Sequence, residues 1–508
     1  MLLPSAGLLL PLLVLVLLER ASATHSSSSP AAAAGPLPPE LLRASGSDVH
    51  PTTGSVATRF ALDPSNGCSF TWAHQAGANR AVVQAAFQLR VWDASTGHVA
   101  YDSGFCNSSD PSHYLPAGSL KTARGYVWRV SWWDGDGRAS ALSNEAAFHV
   151  GPDAAGWEGV PWIGANASNV YRATGLPVTE EAATSVILYI CALGFGKVTV
   201  NGRAADGDGA GRMAVSGWTN NERLNLYETY DLTAVARSSS ARNEPIVLGV
   251  QLGHGWRAPV FARNDPGSQP GDSTERVFRA QLIVTNRDGT SINILNTGNL
   301  STQHSELSVF VVWFDFANMR CCLISLNPRY CACVRMFTEN WEMTAGPVIA
   351  DSVYNGEIYD AQLALPAGWD TASSPTSARW VTATEIVDPP RGQMMASAMP
   401  PITLDRIISP RTITQPSHGL FVCDFGENVA GWAVLKRIPP GKPGQRIVIK
   451  YAEVLQHKLL PDLNSSSIDP RLPYFKNLRS ANSTNVFILP PASASTSYSY
   501  TPSFTYHG

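Results

Sequence analysis

Two pairs of closely spaced carboxylates are the first candidates for a metal-binding or catalytic site in this 508-residue chain. Asp206 and Asp208, in the run RAADGDGAG, are spaced like the first ligands of a calcium loop, although the later ligands and the closing glutamate are missing. A flexible turn is the alternative interpretation. Glu357 and Asp360 are three residues apart, which on a strand places them on opposite faces, so they cannot flank one bond. With no Ser-His-Asp or Cys-His set and no G-x-S-x-G elbow, the sequence predicts no catalytic residue.

The elements that must position such side chains are β-strands. In AFQLRVWD, Phe87, Leu89 and Val91 share one face, and YVWRVSWWDGDG alternates in the same way before an Asp-Gly turn. A further turn at residues 287–289 separates two more alternating runs, whereas helical periodicity of useful length is missing. We expect an all-β fold of tandem β-sandwich domains, the first of fibronectin type III or immunoglobulin-like shape and the later ones jelly-roll-like.

Shifts in composition divide the chain into segments. An apolar leader is followed by a Ser/Ala/Pro-rich run that cannot bury apolar area and is expected to be disordered. Residues 308–337 are cysteine-dense and lack clear alternation, and we interpret them either as a family-specific insertion or as a gene-model error. The expected boundaries are a leader at 1–23, a spacer at 24–46, and sandwiches at 47–152, 153–375 and 376–508.

The N-terminal run MLLPSAGLLLPLLVLVLL has the composition of a signal peptide, and the small residues Ala21 and Ala23 suit cleavage after it. It begins without Lys or Arg, and a retained membrane anchor is the alternative. We expect a secreted or lumenal protein with no membrane contact beyond the leader. Five N-x-[ST] sequons fit passage through a glycosylating compartment: Asn107, Asn166, Asn299, Asn464 and Asn482.

Charge and cysteine usage argue against two classes of site. Charged residues make up 15% of the chain, the net charge is -3, and Lys and Arg are scattered, so no basic stripe is available for nucleic acid. Eight cysteines in an exported protein favour disulfides or buried thiols. Four of them crowd together without the C-x₂-C-like spacing of a zinc site: Cys321, Cys322, Cys331 and Cys333.

The third block carries the most specific signature, with the runs CDFGENVAGW, YAEVL, KNLRS and SFTYHG in that order. Together they strongly resemble the concanavalin-like β-sandwich that precedes the catalytic barrel in α-L-rhamnosidases of glycoside hydrolase family 78. Upstream, LYICALGFGKVTVNGR, GWTNNERLNLYETYDLT and GPVIADSVYNGEIYDAQ resemble the second, carbohydrate-binding-type sandwich of that family. Each residue of these runs has a structural interpretation as a turn glycine, core aromatic or ion-pair partner, and it is their shared order that makes the resemblance specific.

The resemblance implies a glycosidase that removes terminal α-L-rhamnose, with rhamnose-containing glycosides or glycans as partners and no required cofactor. Some members of the family use the second sandwich as a calcium-dependent rhamnose-binding module. The candidate carbohydrate-binding residues here are Asn201, Trp218 and Trp256, with Asp206 and Asp208 as candidate calcium ligands. Burial in the core is the alternative for the two tryptophans.

Two departures from the family bear on activity. The usual Gly-Asp-Gly-Trp reads Gly-His-Gly-Trp at 253–256, which removes a carboxylate. The acid and base of the family lie in an (α/α)₆ barrel after the Phe-x-Tyr-His-Gly strand, and this chain lacks the helical periodicity for it. We therefore expect non-catalytic β-domains whose last strand, carrying Phe504 and Tyr506, is incomplete and exposes an open edge. A secreted lectin-like protein is the alternative, and the transcript beyond the Gly508 codon distinguishes the two.

Overall fold

The computed structural model confirms the all-β expectation. Strands dominate, and helices are few: the α-helix α1 at Thr233–Ser240 and short 3-10 helices at Ala155–Trp157, Ala361–Leu363 and Lys476–Leu478 lie in the described part of the chain. No helix in that part is long and apolar enough to cross a membrane. The structure describes residues 36–45, 47–48, 61–74, 83–165, 167–175, 183–206, 214–215, 217–242, 244–257, 275–298, 310–315, 320–324, 331–335, 341–374, 379–397, 404–456, 471–479, 481–491 and 497–507.

The first domain is a sandwich of two sheets. Its strands are β1 Pro39–Ala44, β2 Ser47–Asp48, β3 Ala61–Leu62, β4 Cys68–His74, β5 Gln84–Asp93, β6 Val99–Asp102, β7 Cys106–Asn107, β8 Ser112–Leu115, β9 Arg124–Asp134 and β10 Ala146–Val150. The sheets run β2-β1-β4-β8 and β3-β10-β9-β5-β6, with β7 beside β5. Along β9 every second residue is buried, and Trp128 packs edge-on against Phe70 of the facing sheet with ring centroids 4.8 Å apart. The alternation in YVWRVSWWD is therefore the inner face of this sandwich.

The second domain is a larger sandwich. Its strands begin with β11 Ile163–Ala165, β12 Val170–Thr174, β13 Ala183–Leu193, β14 Phe195–Val200, β15 Arg203–Ala204, β16 Ala214–Val215, β17 Leu224–Asp231, β18 Val247–Gly253, β19 Arg276–Asn286 and β20 Ser291–Asn296. Strand β13 is buried on both faces: Leu188 packs in the core between the sheets, whereas Tyr189 packs outside against the Trp157 cluster facing the first domain. Burial on both faces explains why VILYICAL is apolar throughout instead of alternating.

The atypical stretch 308–337 contains an antiparallel sheet of its own. Its strands are β21 Phe310–Asp315, β22 Arg320–Ile324 and β23 Cys331–Arg335. They pair in the order β21-β22-β23.

Sheet pairing crosses the expected boundary at 375/376. The next strands are β24 Glu342–Thr344, β25 Val348–Ser352, β26 Gly356–Asp360, β27 Val381–Thr382 and β28 Gln393–Ala396, followed by β29 Thr412–Ser417, β30 Leu420–Asp424, β31 Leu435–Ile438, β32 Arg446–Lys450, β33 Val454–Leu455, β34 Pro473–Tyr474, β35 Thr484–Ile488 and β36 Tyr498–Tyr500. Strands β27 and β28 pair with β24 and β17 of the second sandwich, whereas β25 and β26 join β35 and β32 in the third domain. The chain therefore leaves the second domain after β24, contributes β25 and β26 to the third domain, and returns to the second domain for β27 and β28.

The expected strand at Phe504 and Tyr506 is wrong. The strand β36 ends at Tyr500, and only a single bridge, between Gly431 and His507, follows it in the described residues. Phe504 and Thr505 are neighbours in sequence, yet both are buried. A half-buried strand would leave one of two neighbours on its solvent face, whereas this segment contacts the second and third domains on several sides. It packs as a wedge between them and does not form an open edge.

Candidate functional site: an aromatic surface where two domains meet

Two of the three candidate sugar-binding residues lie together. The rings of Trp218 and Trp256 are stacked, with centroids 5.1 Å apart and planes 16° from parallel. Trp218 precedes β17 and is 57% exposed, so the core interpretation is wrong for this residue. Trp256 is half-buried in the turn after β18, where the Arg257 N–H donates to the His254 carbonyl at 2.9 Å. An exposed ring supported from behind by another ring offers a flat apolar face of the kind that sugars bind.

A third aromatic side chain joins this pair and was missed by the sequence interpretation. Tyr354 lies in the turn between β25 and β26, is 38% exposed, and meets Trp256 edge-to-face with centroids 5.9 Å apart and planes at 80°. The turn is part of SVYNGEIYDA, whose Asn-Gly pair the structure places at the turn between the paired strands β25 and β26. Nothing local indicates that this hairpin reaches the loop at 254–257, because the contact depends on how two domains pack.

A buried ion-pair cluster lies close in sequence to two of the aromatic residues. The Asp351 side chain has no exposed surface, and its carboxylate accepts from the backbone N–H of His254 at 2.5 Å, from His254 Nδ1 at 3.0 Å and from Arg276 Nη2 at 3.2 Å. Burial alone would raise the pKa of Asp351, but the hydrogen bonds and charges of His254 and Arg276 outweigh it and hold the pKa below its ordinary value. The histidine that replaces the usual family aspartate is therefore the partner of a buried carboxylate.

A second buried carboxylate, Glu357, is hydrogen-bonded to the segment that contains Tyr500, Ser503 and Phe504. Burial raises its pKa to about 7. A raised pKa of this kind suits a general acid, but Glu357 is 0% exposed and both its oxygens are engaged. Oε2 accepts from the backbone N–H groups of Ser503 and Phe504 at 2.8 and 2.9 Å, and Oε1 accepts from the Tyr500 hydroxyl at 3.2 Å. No substrate can reach this carboxyl, so the arrangement is structural.

Asn201 lies at the opposite end of the second sandwich from the two tryptophans. It follows β14, whose far end at Phe195 pairs with Gly253 just before the Trp256 turn. Its side chain is occupied by the fold: Oδ1 accepts from the Val247 N–H at 2.6 Å, and Nδ2 donates to Ser239 Oγ at 2.6 Å. Asn201 also has a φ of 47°, which Asn tolerates in the tight turn before Gly202. The structure therefore does not bring Asn201 together with Trp218 and Trp256.

The remaining predicted sites are only partly within the described residues. Asp206 is exposed, and Asp208 lies outside them. The described residues contain no group of three or more His, Cys, Asp or Glu side chains arranged to hold a metal ion. Among the sequons, two asparagines are exposed, Asn107 and Asn482. The other three lie outside the described residues: Asn166, Asn299 and Asn464.

Two of the cysteines are buried thiols. Cys68 and Cys191 are 4% and 0% exposed and have no disulfide partner. Burial raises the pKa of Cys68 to about 12 and also raises the pKa of Cys191, so both thiols stay protonated and unreactive at neutral pH. They are packing residues of the first and second sandwiches.

Three family profiles match the chain in order along its length. The Rha78A-like N-terminal immunoglobulin domain matches residues 63–153, the α-L-rhamnosidase N-terminal domain matches 181–309 and 333–406, and the bacterial α-L-rhamnosidase concanavalin-like domain matches 414–508. The gap in the second match falls within the atypical stretch 308–337. The same match extends past β27 and β28, in agreement with their pairing in the second sandwich.

The curated relatives that match are α-L-rhamnosidases and are much longer than this chain. An α-L-rhamnosidase of Streptomyces avermitilis is 27% identical over 384 residues, which are 75% of this chain and 29% of that protein. An α-L-rhamnosidase of Alteromonas sp. is 26% identical over 463 residues, which are 86% of this chain and 42% of that protein. The chain therefore spans less than half the length of these relatives.

Solved structures share the fold. The α-L-rhamnosidase from Dictyoglumus thermophilum matches with a TM-score of 0.66 at 20% identity, over 93% of this chain and 46% of that chain. The Streptomyces avermitilis α-L-rhamnosidase, solved in complex with L-rhamnose, matches with a TM-score of 0.64 at 20% identity, over 92% of this chain and 55% of that chain. Since the three domain profiles match in order along the chain, it carries the immunoglobulin-like, N-terminal and concanavalin-like domains of the bacterial-type α-L-rhamnosidase family.

Proposed function

We propose that this protein serves in the removal of terminal α-L-rhamnose from glycosides, and that its β-domains are the non-catalytic, carbohydrate-binding part of that activity. The observation that carries the binding role is the Trp218 ring, 57% exposed and stacked on Trp256. L-Rhamnose is a 6-deoxy sugar, so its methyl group and C–H face suit an aromatic ring. Rhamnose-containing glycosides or glycans are accordingly the proposed partners.

The buried carboxylates support a non-catalytic role for the described residues. Glycoside hydrolysis needs an acid and a base on either side of a bond that the substrate brings between them. Asp351 and Glu357 both have perturbed pKa values, yet both are enclosed and hydrogen-bonded to groups of the fold. Neither can flank a glycosidic bond unless the contact between the second and third domains opens.

The purified 508-residue chain is expected to hydrolyse no α-L-rhamnoside. The measurement is release of p-nitrophenol from p-nitrophenyl α-L-rhamnoside, with buffer alone and heat-denatured protein as controls. Turnover above these controls that follows protein concentration through purification would contradict the expectation. It would place an acid and base within this chain.

The Trp218→Ala variant is expected to bind methyl α-L-rhamnoside roughly tenfold more weakly than the wild type, because it loses the exposed stacking face. Isothermal titration calorimetry measures the affinity. The matched control is Phe105→Ala, since Phe105 is 59% exposed and packs edge-to-face on Trp133 in the first domain. Equal affinity of wild type and Trp218→Ala would remove this surface from the proposal, and absence of binding by the wild type would remove the binding role.

A further inference from the structure

The three aromatic residues at the candidate site come from two different domains. Trp218 and Trp256 lie on loops of the second sandwich, whereas Tyr354 lies on the β25–β26 hairpin, whose strands belong to the third-domain sheet with β35 and β32. Trp256 touches both partners, one nearly parallel at 16° and the other nearly perpendicular at 80°. Two rings that expose surface at such an angle form a corner, and a corner suits the end of a sugar chain better than a flat platform does.

The Asp351 cluster ties together the two segments that carry this corner. Asp351 is three residues before Tyr354, and His254 is two residues before Trp256. The carboxylate binds the His254 backbone N–H and Nδ1, at 2.5 and 3.0 Å, and Arg276 of β19, at 3.2 Å. Since the Asp351 side chain is fully buried, loss of its charge cannot be made up by water. The hairpin therefore has its place on the second sandwich set by an ion-pair cluster and not by the aromatic contacts alone.

The turn that carries Tyr354 is also held from the third domain. The Ser483 N–H donates to the Tyr354 carbonyl at 3.0 Å, and the Thr484 N–H donates to the Asn355 carbonyl at 3.1 Å. The Asn355 side chain accepts from the Asn482 N–H at 3.2 Å. These bonds tie the backbone of the turn to the third domain, so the contact between Tyr354 and Trp256 crosses from one domain to the other.

We propose that the sugar-binding surface is shared by the second and third domains, with Tyr354 as a further binding residue and Asp351 as the residue that positions it. The inference rests on the proposed binding of rhamnosides at Trp218. It adds that the affinity depends on the junction of two domains, because a ligand held in the corner contacts both. Such a ligand binds the joined arrangement better than the separated one and so stabilises the junction.

The test uses the full chain and methyl α-L-rhamnoside in calorimetric titrations. Tyr354→Ala is expected to weaken binding roughly fivefold to tenfold, whereas Tyr354→Phe, which keeps the ring, is expected to stay within about twofold of the wild type. Tyr114→Ala is the matched control, since Tyr114 is 58% exposed in the first domain. Tyr354 is partly exposed, so the variant is expected to fold, and circular dichroism and the melting temperature check this.

Asp351→Asn distinguishes a positioning role from a general loss of structure. It is expected to weaken binding in the wild-type background but to add no further loss in the Tyr354→Ala background, since its effect passes through Tyr354. Additive losses would overturn the positioning role. Full affinity of Tyr354→Ala, combined with weak binding by Trp218→Ala, would overturn the shared surface and leave the proposed function standing. Absence of binding by the wild type would overturn both.

Discussion

We expect the Glu357→Gln variant to unfold at a higher temperature than the wild type at pH 8, and the difference to be several times smaller at pH 5. Burial raises the pKa of Glu357 from its ordinary value of 4.5 to about 7, so the folded protein holds a proton that the unfolded chain releases. Stability from this group is complete below pH 4.5 and falls as the pH rises toward 7. The difference corresponds to about 3 kcal/mol.

Glutamine reproduces the neutral carboxyl. Its Oε1 can accept from the Ser503 and Phe504 N–H groups, and its amide can donate to the Tyr500 hydroxyl oxygen, as a protonated carboxyl would. Glu357→Ala, by contrast, leaves two buried N–H groups without an acceptor and is expected to destabilise the protein at every pH by about 1–3 kcal/mol for each group.

Thermal unfolding at half-unit steps from pH 5 to pH 8 makes the measurement, and the difference between variant and wild type reports Glu357 together with the half-buried Lys197, whose charge is coupled to it. Glu40→Gln on the exposed side of β1 is the control and is expected to follow the wild type throughout. Parallel curves for wild type and Glu357→Gln would contradict a buried carboxyl that takes up its proton near neutral pH.

Phe504→Ala is expected to cause the largest packing loss at the junction, about 3–5 kcal/mol. Phe504 is 1% exposed and packs with Phe195 of the second sandwich and Val348 and Val353 of the β25–β26 hairpin. Removing the ring empties a space that the two domains share. Differential scanning calorimetry is expected to show the transition of these domains at a lower temperature and separating into two.

Gly253→Ala tests the same contact from the other side. A Cβ at Gly253 would lie 2.4 Å from Cγ of the Phe504 ring, well inside van der Waals contact. The variant is therefore expected to lower the same calorimetric transition, and combination with Phe504→Ala is expected to cancel part of its cost. Phe105→Ala, at an exposed aromatic side chain in the first domain, is the control. An unchanged transition in Phe504→Ala would show that the wedge does not join the domains.

The fold class could be predicted because strand periodicity is a local property. Alternation along β9 indicates that one face of the strand is buried in a core and that the other is less enclosed. This can be predicted without knowing the partner sheet. The continuous apolar run of β13 is also legible, although the sequence alone does not say that its second face packs toward the first domain. Periodicity therefore predicts which faces of a strand are buried, but it does not predict which residues cover them.

The candidate site could be predicted only in part. Trp218 and Trp256 were candidates because the resemblance implies a sugar-binding second sandwich and aromatic rings suit sugars, and the structure stacks them. Asn201 stood out equally, yet it lies at the far end of β14 with its amide occupied by the fold. In all three cases the chemistry of the side chain suited a sugar. Only the pairing of β14 with β18 showed that Asn201 lies at the other end of the sheet from Trp256.

What the sequence by itself determined is the all-β architecture, the order of the domains and the family to which they belong, since these depend on short-range patterns repeated along the chain. Only the tertiary structure decided that Asp351 meets His254 and that Tyr354 meets Trp256, pairs separated by about a hundred residues. It also decided that Phe504 is a wedge and not a strand. The physical reason is the same in each case. These contacts form where the second and third domains pack against each other, and the periodicity of a segment does not identify which distant residues will contact it.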